Sequence, residues 1–97
     1  MILIRDVFRC KPGKSMELAE RFKGTFPSMQ ASDGFVPKVM VDLVADYWTV
    51  VLESEAEDLS QFERHMREYR DRPEVRQAMD GYMELVESGR REIYRLV

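Results

Sequence analysis

The sequence predicts one α+β domain in which helices cover one face of a four-stranded antiparallel sheet, with the element order β-α-β-β-α-β. Four segments have the alternation or the β-branched and aromatic content of strands, and two longer segments repeat apolar residues at helical spacing. The 97 residues suit a single domain over residues 1–97, long enough to bury a core without disulfides or a structural metal.

The first β-α unit is predicted from alternation followed by turn residues. Ile2–Cys10 alternates as a half-buried strand, and Lys11–Lys14 breaks it with Pro and Gly. The apolar stripe of the following helix recurs at spacings of four, four and three residues, at Leu18, Phe22, Phe26 and Met29. Pro27 predicts that this helix kinks or splits, and Asp33–Gly34 predicts its end.

A β-hairpin is predicted next, with strands over Phe35–Val44 and Tyr47–Glu53 joined by Ala45–Asp46. The register that follows from this turn places Lys38 opposite Glu53 on one face. It places an apolar set on the face beneath the helices, namely Val39, Val41, Leu43, Trp48, Val50 and Leu52.

The second helical region is predicted to begin at a capping box formed by Ser54 and Glu57. Its apolar stripe is Leu59, Phe62, Met66 and Tyr69. Asp71–Pro73 predicts a break in this region. A third helical stretch then carries Val75, Met79, Tyr82 and Val86. Ser88–Gly89 predicts a left-handed stop, and Arg91–Val97 is the closing strand.

This order, over this length, predicts the split βαβ or ferredoxin-like arrangement. Strand alternation puts a matching set beneath the helices, namely Ile2, Ile4, Phe8, Tyr94 and Leu96. The open face then carries an apolar set too large for a monomer, namely Val7, Met40, Val51, Ile93 and Val97. We therefore predict a homodimer formed through the sheet faces.

Composition argues against several classes of protein. Fifteen basic and eighteen acidic residues give a net charge of -3, so the basic surface of a nucleic-acid binder is not expected. No run approaches the ~20 apolar residues of a membrane span. The apolar start Met1–Ile4 meets Arg5 and Asp6 too early for a signal peptide, so a cytoplasmic location is expected. With one cysteine, Cys10, and one histidine, His65, neither a metal site nor a cofactor is predicted.

His65 and Asp6 are the candidate catalytic residues. His65 lies at the shoulder of the buried helical stripe, a place for a catalytic base but more often for an ordinary boundary histidine. Alternation puts the Asp6 carboxylate on the helix side, where an unpaired charge is costly, so it requires His65 or an arginine as partner. An Asp6–His65 pair beside Trp48 would be an acid-base site. The alternative is that a bulge turns Asp6 outward.

Candidate ligand-binding residues are aromatic, namely Trp48, His65, Tyr69, Tyr82 and Tyr94. They would line a pocket for a flat aromatic or polyketide-like molecule. Aromatic residues at such spacings are more often core, and the same holds for Met16, Met29, Met66, Met79 and Met83. Cys10 is discounted as a reactive thiol because nothing in the sequence places a histidine near it.

The Lys11–Lys14 turn, the hairpin bearing Tyr47–Trp48 and the tail Glu87–Tyr94 together resemble the dimeric α/β-barrel superfamily. The closest resemblance is to small antibiotic-biosynthesis-monooxygenase-like and NIPSNAP-like proteins, over nearly the whole chain. It implies that two subunits pack their sheets into a barrel and that each holds a small ligand in a cleft between helices and sheet. It does not specify the chemistry, because the scaffold hosts oxygenases, isomerases, haem-degrading enzymes and ligand sensors.

Three functions remain open from the sequence. The first is a dimer that binds a small molecule. The second is a cofactor-independent monooxygenase with Trp48, His65 and a tyrosine in its pocket. The third is a non-enzymatic assembly or regulatory module, expected if the cleft is filled by its own side chains. The chain contains no asparagine, which argues against enzymes of this resemblance that use one, and most of all against the haem-degrading branch.

Overall fold

The computed structural model describes residues 1–32 and 37–97, and its elements follow the predicted order. The strands are β1 (Ile2–Cys10), β2 (Lys38–Val41), β3 (Thr49–Ala56) and β4 (Val86–Arg95). The helices are α1 (Ser15–Lys23), α2 (Phe26–Ser32), α3 (Leu59–Arg70) and α4 (Pro73–Ala78), followed by a 3-10 helix over Tyr82–Leu85. The strands form one antiparallel sheet in the order β2-β3-β1-β4. The ferredoxin-like fold class is confirmed.

The core lies between the helices and one face of this sheet. Its larger cluster joins strands to α1 and the 3-10 helix, and consists of Cys10, Leu18, Ala19, Phe22, Val50 and Leu85. A second cluster joins the sheet to α3 through Ile4, Ala56 and Phe62. Because the even-numbered residues of β1 supply Ile4 and Cys10 to these clusters, the odd-numbered residues face away from the helices. The helix-side placement of Ile2, Ile4 and Phe8 is therefore confirmed.

Both predicted helix breaks are present, and each has a local cause. The first helical region divides at Gly24 and Thr25, ahead of Pro27 in the first turn of α2. The Thr25 hydroxyl donates a hydrogen bond to the Phe22 carbonyl at 2.7 Å, which closes the end of α1. The second region divides before Pro73, which begins α4. The predicted end at Asp33–Gly34 lies outside the described residues.

The hairpin register is correct, but the strand bounds differ from the prediction: β2 ends at Val41 and not at Val44, and β3 covers Thr49–Ala56 and not Tyr47–Glu53. Val39 lies opposite Leu52 and Val41 opposite Val50, as predicted. The predicted two-residue turn at Ala45–Asp46 is wrong, because residues 42–48 form a longer connection between the strands. The ladder then stops, because Tyr47 and Trp48 both adopt positive φ angles, 56° and 53°, that a strand does not accommodate. The predicted pairing of Leu43 with Trp48 is therefore wrong. The predicted start of the first hairpin strand at Phe35 lies outside the described residues.

The predicted capping box at Ser54 and Glu57 is wrong. Ser54 belongs to β3, which continues to Ala56 and pairs with the start of β1. Asp58 caps α3 instead, and its Oδ1 atom accepts a hydrogen bond from the Gln61 backbone at 2.8 Å. Gln61 Oε1 in turn accepts from the Glu57 backbone at 2.6 Å, so the helix start is closed from both sides.

The closing strand was predicted on the wrong residues, and its side chains were assigned to the wrong faces of the sheet, an error of parity. The left-handed residue is Gly81, with φ 75°, whereas Ser88 and Gly89 lie inside β4. In the observed register Gly89 lies opposite Phe8 and Tyr94 opposite Leu3, so Tyr94 faces the open side. Ile93, predicted on the open face, lies opposite Ile4 and faces the helices. Val97 and Leu96, assigned to this strand, lie beyond its end at Arg95.

The parity error has a physical origin in the composition of β4. Charged residues occupy both faces of this edge strand, so its own alternation barely specifies a register. Contacts with β1 decide it instead. The Phe8 ring packs over Gly89, 3.4 Å from where a Cβ atom would stand, and Arg91 lies opposite Asp6. One residue of slip would reverse every side chain of the strand.

Candidate functional site

A cavity of about 570 Å³ lies among the helices. Four methionines line it, namely Met29, Met66, Met79 and Met83. Aromatic rings of Phe22, Tyr69 and Tyr82 complete much of the wall, with charged groups of Arg70, Arg76 and Asp80 also present. None of the described lining residues belongs to a strand. The cavity is therefore bounded by helices and their connections, and not by the helices and sheet together, as the sequence suggested.

The two helix breaks create this space. The helical path is interrupted between α1 and α2 at Gly24 and between α3 and α4 at Arg72. Because the chain changes direction at both points, the helices do not pack together there as two continuous helices would. Flexible methionine side chains fill such an irregular gap only partly. Pro27, Pro73 and the methionines were therefore the sequence signal for the cavity, but methionines at such spacings more often indicate core packing.

Hydrogen bonds hold the walls of the cavity in place. Arg72 Nη1 donates to the Ser28 carbonyl at 2.6 Å and to the Ser28 hydroxyl at 3.0 Å, tying the α3–α4 junction to α2. The Tyr69 hydroxyl donates to the Met29 carbonyl at 3.3 Å. On the other side, Arg21 Nη1 donates to the Asp80 carbonyl. These bonds fix backbone segments from both halves of the chain around one space.

The structure brings three of the predicted site residues together. Tyr69 and Tyr82 line the cavity. His65 is buried directly behind Tyr69, with parallel rings whose centroids are 6.0 Å apart. The Arg72 guanidinium lies over the same Tyr69 ring, 4.9 Å from its centroid. The imidazole therefore adjoins the wall of the cavity without being among its lining residues.

Asp6 faces the helix side as alternation predicted, and its cationic partner is Arg91. Its carboxylate accepts hydrogen bonds from Arg91 Nε at 2.6 Å and from Nη2 at 3.3 Å. The Arg91 guanidinium also lies over the Phe62 ring, 5.0 Å from its centroid. Of the two partners that the sequence left open, an arginine and His65, the structure shows the arginine.

The other two aromatic candidates lie away from the helix cavity. Trp48 is 42% exposed in the connection between β2 and β3, and its carbonyl accepts a hydrogen bond from the Cys10 backbone at 2.8 Å. Tyr94 is half-exposed on the open face of the sheet. The structure does not group Trp48, Asp6 and His65 around this cavity.

Cys10 has the environment of a structural thiol. Its side chain is buried in the larger core cluster. Burial raises the pKa of the thiol, and the negative charges of Asp42 and Glu87 raise this pKa further. Since the thiolate is the reactive form, this environment disfavours nucleophilic chemistry at Cys10.

Within residues 1–32 and 37–97, no group of three or more His, Cys, Asp or Glu side chains could hold a metal ion. Over the same ranges, no helix has the length and apolar content needed to cross a bilayer.

Comparisons with known proteins place the fold. No protein-family model matches the chain, and no curated protein matches it. Solved structures do match. An uncharacterised NIPSNAP-like domain protein from Burkholderia xenovorans superposes with a TM-score of 0.83 at 16% identity, covering 99% of this chain and 84% of that one. A NIPSNAP family protein from Agrobacterium tumefaciens gives 0.81 at 14% identity, covering 99% and 92%.

A third match is a candidate antibiotic biosynthesis monooxygenase from Deinococcus radiodurans, with a TM-score of 0.71 at 17% identity, covering 100% of this chain and 93% of that one. The resemblance to NIPSNAP-like and monooxygenase-like proteins inferred from the sequence is therefore confirmed at the level of the fold. At these identities the likeness defines the class of fold and leaves the activity to be argued from the site.

Proposed function

We propose that this chain binds a small, flat, largely apolar molecule, aromatic or polyketide-like, in the helix cavity. The observation that carries the proposal is an open space of about 570 Å³ walled by methionine and tyrosine side chains. This volume lies within the range typical of small-molecule sites, roughly 300 to 1,000 Å³. A module with no ligand would be expected to fill this space with its own side chains.

The wall chemistry indicates the class of ligand. Methionine sulfur atoms are polarisable and make favourable contacts with aromatic rings, so Met29, Met66 and Met79 suit a flat π-system. The Tyr82 hydroxyl makes no hydrogen bond to any described residue, so it is free to donate to a polar group of the ligand. Arg70 and Arg76 supply positive charge for an acidic or phenolic substituent.

A cofactor-independent monooxygenase is the second candidate function. It is supported by His65, a buried imidazole that stacks on Tyr69 in the cavity wall and would act as a base if a side-chain shift or one bridging water connected it to a bound phenol. The likeness to the Deinococcus radiodurans protein also supports it. The absence of asparagine from the chain argues against mechanisms that use an amide to polarise the substrate.

We also propose that two copies pack through their open sheet faces. Val7, Met40 and Val51 lie together there on adjacent strands. This apolar patch is smaller than the sequence suggested, because Ile93 faces the helices. The dimeric α/β-barrel superfamily that the chain resembles pairs its sheets in this way.

Titration calorimetry with 2-naphthol, a flat and neutral aromatic, tests the binding proposal. Met66→Trp fills the cavity with a larger side chain, and we expect it to weaken 2-naphthol binding by at least about tenfold relative to the wild type. Met16→Trp is the matched control, because Met16 is an exposed residue of α1 outside the cavity. Equal affinities for the two variants, or no binding by the wild type, would contradict the proposal. Dioxygen consumption with 2-naphthol separates an enzyme from a binding protein.

A further inference from the structure

A second cavity, of about 460 Å³, lies on the opposite side of the sheet from the helices. Val7 and Val51, neighbours on β1 and β3, form an apolar floor. Ala45 and Asp46, from the connection between β2 and β3, form one wall. The hydroxyl-bearing residues Thr49 and Ser88 lie on either side of β1, each opposite Arg9. This space shares no lining residue with the helix cavity.

Three arginines converge on this cavity, namely Arg5, Arg9 and Arg90. Sheet register explains their grouping. Arg5 and Arg9 flank Val7 on the open side of β1, and Arg90 lies directly opposite Val7 on β4. Asp46 is the one carboxylate among the described lining residues, and each arginine also has a glutamate neighbour outside the lining.

Neighbouring glutamates engage only one edge of each guanidinium. Glu53 approaches Arg5 Nε at 3.7 Å, Glu87 approaches Arg9 Nε at 3.9 Å, and Glu92 accepts a hydrogen bond from Arg90 Nε at 2.8 Å.

No hydrogen bond from an Nη atom of these three arginines reaches a described residue. Arg5 Nε is buried and likewise donates no hydrogen bond within the described chain. The paired Nη donors are the part of the side chain that binds an oxyanion in bidentate fashion.

We propose that this cavity binds a small molecule with one oxyanion group, a carboxylate or a phosphate, and a short apolar body. The Nη donors of Arg9 and Arg90 hold the oxyanion, and the Val7–Val51 floor accommodates the apolar part. In a dimer formed through the open faces, the bound acid would lie between the two sheets.

Three probes that share a phenyl ring test the proposal by titration calorimetry: benzoate, phenyl phosphate and neutral benzamide. We expect the wild type to bind at least one of the two acids at least about tenfold more tightly than benzamide. The tighter of the two acids identifies the oxyanion as carboxylate or phosphate. Amide shifts in ¹⁵N NMR locate the site, and we expect changes at Val51 and Gly89 and none at Met79.

The double variant Arg9→Gln/Arg90→Gln removes the two exposed guanidinium groups and leaves a shorter, neutral polar side chain at each position. We expect it to lose at least about tenfold in affinity for the bound acid. Arg64→Gln, on the exposed side of α3, is the matched control and should bind as the wild type does. Thermal denaturation checks that both variants fold.

Several outcomes would overturn this proposal. They are equal affinity for acid and amide, shifts confined to the helix cavity, or an equal loss in both arginine variants. No binding of either acid would also overturn it. The arginines would then be expected to pair with carboxylates of a second copy of the chain. Because the two cavities share no lining residue, these results do not depend on the outcome with 2-naphthol.

Discussion

The Asp6 carboxylate and the Arg91 guanidinium form a two-point hydrogen-bonded ion pair across β1 and β4, with Nε to Oδ1 at 2.6 Å. The two residues are opposite each other in the register, and the Asp6 side chain is only 16% exposed. The pair lies on the helix side of the sheet, next to the ring of Phe62. The pair therefore neutralises the Asp6 carboxylate on the inner strand β1 and favours the observed register of the edge strand β4.

A double-mutant cycle measures the worth of this pair. We expect Asp6→Asn and Arg91→Gln to show a coupling free energy of about 1 kcal/mol by denaturant unfolding, because the carboxylate is largely shielded from water. The exposed pair of Asp71 and Arg76, 3.2 Å apart, is the control and should couple by less than about 0.5 kcal/mol. Equal couplings would show that burial of Asp6 adds nothing to the interaction.

The start of α3 yields a second stability prediction. We expect Asp58→Ala to lower the free energy of unfolding by about 1 kcal/mol, because it leaves the Gln61 amide without its capping acceptor. Ser54→Ala is the control, since Ser54 lies in β3 and caps no helix, and its effect should stay within about 0.5 kcal/mol. Thermal or urea denaturation of both variants suffices, and a larger loss for Ser54→Ala would place the helix start elsewhere.

Association through the open sheet face is tested by sedimentation equilibrium. We expect the wild type to be a dimer at micromolar concentration. Met40→Glu should weaken the dimer by at least about tenfold, because it buries a charge in the apolar patch beside Val51. Met16→Glu, on the exposed side of α1, should leave the association unchanged. A monomeric wild type would rule out the proposed interface.

Local signals accounted for the order of the elements and for much of their extent. The helix breaks at Pro27 and Pro73 were predictable because proline cannot continue a helix hydrogen-bond ladder, whatever surrounds it. The predicted hairpin register, with Val39 opposite Leu52, is the observed one, although residues 42–48 join the strands in place of the predicted two-residue turn. Alternation along β1 was enough to place Asp6 on the helix side.

Contacts distant in sequence decided what local signals left ambiguous. Ser54 and Asp58 both resemble caps, and the choice between them depended on how far β3 must continue to pair with β1. The parity of β4 depended on Gly89 and Arg91 meeting residues more than eighty positions earlier. Neither the pairing of β3 with β1 nor these contacts of β4 produce a periodic pattern in the sequence.

The sequence by itself determined the ferredoxin-like order of strands and helices, because hydrophobic period, proline and turn residues act over a few neighbouring residues. Only the tertiary structure decided which side chains share a space. It grouped Tyr69 and Tyr82 around the helix cavity, matched Asp6 with Arg91, and brought Arg9 and Arg90 together on the open face. These groupings depend on the register of an edge strand and on gaps between broken helices, which are properties of packing across the whole chain.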